Sequence, residues 1–326
     1  MPGATVTTEQ RPARSTAPTK RRPADVHGIL LVDKPEGMTS AAVVAVVKRA
    51  LGGTKTGHLG TLDPFASGLL PLCLGEGTKI AQYLNTADKA YEGVLRLGVA
   101  TDTLDRTGSV TATAEPPATD ELDLVTLAAA FRGEIEQVPP AYSAIKHGGV
   151  RMYELARRGE APTLEARRVV IHELSFSPVD AQRLRISVSC SKGTYIRSLA
   201  RDVGERLGCP AMLEGLRRTA FGSFRLAQAL PLAAIEAGGA GAAAAATISM
   251  ADALSHLRAL TLADAEGAAR LRSGRQEVLD RLPPPTAHGE QARIIDADRA
   301  LLAVVTERDS RWRIERVFRA SAPCAP

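Results

Sequence analysis

The stretch from Thr54 to Lys79, TKTGHLGTLDPFASGLLPLCLGEGTK, sets one histidine and one aspartate among glycines. Glycine-rich segments can cradle phosphate, but the spacing here does not. A Walker loop needs lysine after its second glycine, whereas Gly52 and Gly57 are followed by His58 and Leu59. A dinucleotide fingerprint fails too, because Ile80 stands where the third glycine after Gly75 and Gly77 belongs. What remains is Asp63. Pro64 disfavours helix at the preceding residue, so the carboxylate is expected to project from a stiff strand or loop. A carboxylate so held can act as a nucleophile or can stabilise a developing positive charge.

A second charged residue, Arg197, is placed by helical spacing. After RLRISVSC and SKG, apolar residues Ile196, Leu199, Ala200, Val203 and Leu207 recur at helical spacing and stop at Gly208. Arg197 therefore falls in the first turn, beside free backbone N–H groups and the positive end of the helix dipole, a place suited to an anion.

Other segments supply the frame. GILLVDK reads as a buried strand, and Thr39 or Ser40 caps a helix carrying Val43, Val46, Val47, Ala50 and Leu51. AYEGVLRLGVATDT and RLRISVSC alternate as strands. Strands and helices mixed at irregular intervals predict an α+β fold. The expected division is a disordered basic tail over 1–24, a catalytic body over 25–235, an Ala/Gly-rich linker over 236–250 and a small, mostly β unit over 251–320. For the Ala237–Ala246 run itself, a flexible joint and a short alanine helix both stay open.

The 326 residues are 44% hydrophobic and carry a net charge of +5. Five basic residues against Glu9 place +4 of that in the tail, so any nucleic-acid surface on the body must be local. Two basic patches qualify, one with Lys146, Arg151, Arg167 and Arg168, the other with Lys192, Arg197, Arg201, Arg217 and Arg218. The four cysteines lie far apart without zinc-ligand spacing, so neither disulfides nor a metal site is expected. With no secretory or membrane-spanning segment in view, the chain is expected to be cytoplasmic.

Six blocks in order, GILLVDKPEGMTS, GHLGTLDPFASGLLPLCLGEGTK, KAYEGVLRLGVATDT, QVPPAYSAIKHGGVRMYELARRG, CSKGTYIRSLARDVGERLG and LEGLRRTAFGSF, resemble the bacterial TruB family of tRNA pseudouridine-55 synthases. The resemblance implies the pseudouridine synthase fold, a mixed sheet flanked by helices with an RNA-gripping insertion, followed by a PUA-like RNA-binding domain. It implies isomerisation of uridine 55 in the tRNA T loop, by base flipping and without a cofactor, and its compact blocks argue for a stand-alone enzyme without guide RNA; no membrane partner is expected, and a monomer is the expected state. On its motifs Asp63 matches the catalytic aspartate, Arg197 its partner, and Tyr91 the active-site tyrosine. His58 matches the residue that fills the vacated stack, Tyr195 and Leu216 line the uracil pocket, and Lys34 supports the site. Lys146, Gly148, Gly149 and Arg151 fall in the insertion, and Arg217 is expected to contact RNA. The alternative is an RNA-binding or tRNA-folding module without turnover, which has no need of an aspartate with a partner arginine. A glycosidase would need paired carboxylates, and no second one is marked by the sequence.

Overall fold

A computed structural model gives the structure, describing residues 23–143, 146–148, 150–152, 155, 158, 160 and 164–319. The expected tail lies almost wholly outside the described residues. Alternation along two strands explains the architecture. In β1 (Gly28–Lys34) Leu30 and Val32 enter one apolar core, while Ile29 and Leu31 enter a second on the opposite face. After helix α1 (Ser40–Ala50), strand β2 (Ser67–Leu74) repeats the division, with Leu70, Leu72 and Leu74 on one side and Leu69 and Cys73 on the other. Side chains point alternately to the two faces, so a strand covered on both reads as a continuous apolar run.

The body continues through β3 (Lys89–Leu97), β4 (Gly133–Gln137), β5 (Arg167–Asp180), β6 (Arg183–Cys190), helix α2 (Ile196–Leu207) and β7 (Ala211–Phe221). Among the described residues these belong to an eleven-stranded mixed sheet in the order β1, β2, β7, β3, β6, β5, β4. Thr39 caps α1 by accepting from the Ala42 N–H at 3.0 Å, and Gly208 ends α2 in the left-handed conformation.

The Ala/Gly-rich run corrects the expected linker. It forms helix α3 (Leu232–Ala245), broken only at Gly239, with Ile235 and Ala243 fully buried in the first core. Thr247 and Ile248 then pair with Leu30 and Ile29 of β1. Alanine pays little entropy in a helix and lets it approach its neighbours closely, so of the two states that composition leaves open, packing selects the helix.

The C-terminal unit contains β8 (Arg258–Thr261), α4 (Ala265–Arg272), β9 (Gln291–Ile295), β10 (Leu301–Arg308) and β11 (Arg311–Val317). Its four strands form a separate sheet in that order. A core of its own gathers Leu260, Leu271, Ile294, Val305 and Trp312. Leu301, Val304 and Phe318 instead join Ile29 and Leu31 in the second core. No helix among the described residues is long and apolar enough to cross a membrane.

Candidate active site

Asp63 sits in the loop between His58 and β2, and its Oδ2 lies 2.9 Å from Arg197 Nε in the first turn of α2. The Arg197 side chain is 5% exposed and that of Asp63 37%, so the pair has a buried cation and a carboxylate open to the cleft. Arg197 is held by more than its partner. Nη1 donates to the Thr103 carbonyl and Nη2 to the Tyr142 carbonyl, both at 2.8 Å, and Asp105 Oδ2 lies 3.6 Å from Nη1. Burial pushes the Asp63 carboxyl above its ordinary value, with Asp105 adding to the rise and the Arg197 guanidinium opposing it.

Asp105 has no marking in the sequence, yet it is the buried second carboxylate of this network. Its Oδ1 accepts from Thr103 Oγ1 and the Thr107 N–H, each at 2.9 Å. The preceding Leu104 is held at a φ of 61°, a conformation that side chains rarely adopt. The turn is fixed from outside by hydrogen bonds from the Leu213 N–H to Leu104 O and from the Arg106 N–H to Leu213 O. A contact between residues 105 and 213 has no local signature, so no spacing rule could have found it.

A cleft of about 270 Å³ opens above the pair, lined by Leu62, Asp63, Tyr91, Tyr195, Arg197, Leu216 and others. Strand register explains the convergence. Tyr91 of β3 stands opposite Arg218 of β7, and Gly93 opposite Leu216, so these side chains share a face. Arg218 is 1% exposed and donates through Nε to Leu69 O at 2.7 Å and through Nη2 to Gly60 O at 2.9 Å. Gly60 and Gly68 make room for it: both have positive φ, and a Cβ on Gly68 would lie 2.4 Å from the Arg218 carbonyl oxygen. Burial raises the Tyr91 phenol, which leaves a neutral ring against the cleft rather than a phenolate.

Tyr195 precedes α2, its N–H donating to Gln137 Oε1 at 2.8 Å, and burial raises its phenol too. Lys34 is fully buried beneath the loop, where its ammonium donates to Met38 O at 2.7 Å, Pro35 O at 2.9 Å and Pro64 O at 3.4 Å. Burial lowers it to about 8, against the pull of Asp63. Pro64 O also accepts from the Gly37 N–H at 2.7 Å, so Lys34→Met is expected to orphan the Met38 and Pro35 carbonyls, at about 1–3 kcal/mol each. Thermal unfolding should show a clear loss of stability, with kcat falling because Pro64 adjoins Asp63.

His58 ends a short strand, Thr56–His58, and pairs with Leu72 outside the cleft lining. The backbone at Lys146–His147 and Val150–Arg151 forms a hairpin, while the Lys146 and Arg151 side chains and Gly149 lie outside the described residues. Arg217 is not brought to the cleft. It occupies the other face of β7 from Leu216 and Arg218, and binds Asp33 Oδ2 at 2.7 Å and Ser67 Oγ at 3.2 Å. The second basic patch is thereby divided, since Arg197 and Arg218 are buried and Arg201 is paired with Asp202 at 2.7 Å. Among the described residues no group of three His, Cys, Asp or Glu could hold a metal ion.

Comparisons with known proteins bear on the family and the fold. Residues 48–196 match the model of the TruB family pseudouridylate synthase N-terminal domain. The solved structure of a Cbf5-Nop10-Gar1 complex superposes with a TM-score of 0.65 at 25% identity, covering 93% of this chain and 91% of that one. The class is thus that of the pseudouridine synthases, which are isomerases.

Relatives narrow the class. The tRNA pseudouridine synthase B of Cupriavidus metallidurans is 43% identical over 311 residues, covering 94% of this chain and 98% of that protein. Its counterpart in Aromatoleum aromaticum is 52% identical over 212 residues, covering 65% of this chain and 68% of that protein. The chain belongs to the TruB family.

Proposed function

We propose that this chain converts uridine 55 in the T loop of tRNA to pseudouridine, with Asp63 as the catalytic carboxylate. The observation that carries the reading is the cleft-facing Asp63 paired with the buried Arg197, in a cleft that Tyr91 also lines.

In this reaction the N1–C1′ bond breaks, the uracil turns over, and C5 bonds to C1′. N1 gains a proton and C5 loses one, so atoms balance with no co-reactant. The sugar develops positive charge, as in glycoside cleavage, and the Asp63 carboxylate meets it. Arg197 keeps that carboxylate ionised against burial. Tyr91 stacks on the uracil, and Leu216 and Tyr195 wall the cleft. A uridine within a folded loop must leave its stack to reach Asp63, so base flipping belongs to the proposal, with His58 bracing the vacated stack. The C-terminal unit, 251–320, is assigned as a PUA-like domain that grips the same RNA.

The test is tritium release from a T-arm RNA labelled at uridine C5. Release by the wild type and none by Asp63→Asn supports the reading; tight binding without release by either supports an RNA-binding module. A pH dependence follows. Only ionised Asp63 serves the sugar, and burial raises its pKa, so kcat/KM should fall on acidification before the ordinary carboxylate value of 3.8 is reached. A flat profile down to that value would contradict this role.

A further inference from the structure

Beside Asp63 the cleft holds a cation that the reaction chemistry does not use. Lys89 begins β3, opposite Cys190 on one side and Phe221 on the other, and lines the same cleft as Asp63. Its ammonium donates to Ala87 O and lies 4.6 Å from the centre of the Phe221 ring. Arg218 stands over the same ring at 5.5 Å, and Lys192 adds to the positive field. The neighbouring Asp88 carboxylate is engaged with His172 at 3.2 Å. Among the described residues neither Lys89 nor Arg218 has a carboxylate ion-pair partner.

A half-buried ammonium with no carboxylate in ion-pair contact is costly, and burial with Arg218 nearby lowers Lys89 to about 8 against the weaker pull of Cys190 and Asp88. A neutral uracil supplies only dipoles, whereas a phosphodiester supplies a full charge. Arg218 is committed to Leu69 O and Gly60 O, so Lys89 is the group able to reach an incoming anion. We propose that Lys89 seats a backbone phosphate flanking the extruded uridine, and that this contact sets the nucleotide over Asp63. The assignment rests on the RNA-modifying function proposed above.

A double-mutant cycle tests it. Full-length wild type and Lys89→Met are each assayed with T-arm RNA of natural backbone and with RNA carrying a neutral methylphosphonate on either side of the target uridine. Lys89→Met should raise KM about tenfold, as expected for a charge-assisted hydrogen bond, with kcat within threefold. The slope of log Kd against log salt should become shallower by about 0.7–0.9. One of the two methylphosphonates should weaken wild-type binding equally and add nothing to the variant.

Additive losses at both positions, or a fall in kcat with KM and salt slope unchanged, would overturn the assignment. Should Lys89→Met not fold, Lys89→Arg and the modified RNAs still decide. The arginine variant should keep the wild-type slope, and wild type indifferent to both methylphosphonates would sink the idea. Wild type that binds the natural RNA with the expected slope but never converts it would count against the proposed function and leave the phosphate seat standing.

Discussion

Replacing Asp63 with asparagine is expected to lower pseudouridine formation by about 100- to 1,000-fold or more while RNA affinity stays within a few-fold. The first half follows from charge. An amide of the same shape cannot meet the positive charge at C1′, and losing one preorganised electrostatic partner in a water-poor site costs about two to three powers of ten or more. The second half follows from where RNA affinity comes from. Phosphate contacts dominate it, and a cleft that loses a negative charge repels phosphates less. Stability gives an internal control. Burial raises the Asp63 carboxyl, so its ionised form is a burden on the fold. Arg197 also keeps Asp105 and the carbonyls of Thr103 and Tyr142. The variant should melt no lower than the wild type, so an inactive protein with normal melting and binding isolates the chemical role. Equal losses of binding and turnover would make Asp63 structural instead.

Arg197→Ala should be as damaging to turnover, and unlike Asp63→Asn it should damage the fold. Removing the guanidinium leaves Asp63 and the buried Asp105 without their shared cation, and two carbonyls without donors. Breaking a buried ion pair from one side costs about 3–5 kcal/mol, which for a unit of this size is on the order of 10 °C in melting temperature. Asp63, already raised, then moves further towards its protonated form. Arg197→Lys separates the two effects. An ammonium restores charge but not the fork that reaches a carboxylate and two carbonyls at once, so stability should recover more than rate. Calorimetry beside single-turnover kinetics would show it. Near-normal turnover by the alanine variant would contradict the pairing.

The settings of Asp63 and Arg197 are legible in the order of residues alone, whereas their pairing and the places of Tyr91, Tyr195, Leu216 and Lys34 are expected only from the family resemblance. Leu-Asp-Pro marks an aspartate held out of helix, and helical spacing after Gly193 puts Arg197 in the first turn, where α2 begins at Ile196. The alternating runs form β3 and β6. What cannot be read locally depends on distant chain. Asp105 is positioned through β7, more than a hundred residues later. Arg217 and Arg218 are chemically identical neighbours, and only strand pairing decides which one is buried beside Tyr91. That pairing is shifted by an irregularity between Leu213 and Gly215, so counting along the strand is unsafe. The Ala/Gly-rich run, which composition leaves open between a flexible joint and a short alanine helix, is decided for the helix by its neighbours, with Ile235 and Ala243 buried in the first core.

The division of β1 and β2 between two cores bears on modularity. A domain appended by a tether can be cut away or exchanged like a cassette, leaving its host intact. Here Leu301, Val304 and Phe318 complete the packing around Ile29, Leu31 and Leu69 on the back of the strands that frame the site. A version shortened after α3 would present that back face to water, and self-association or poor solubility should appear before any defect in RNA recognition. Swapping the C-terminal unit between relatives would succeed only if the buried half of the joint travels with it.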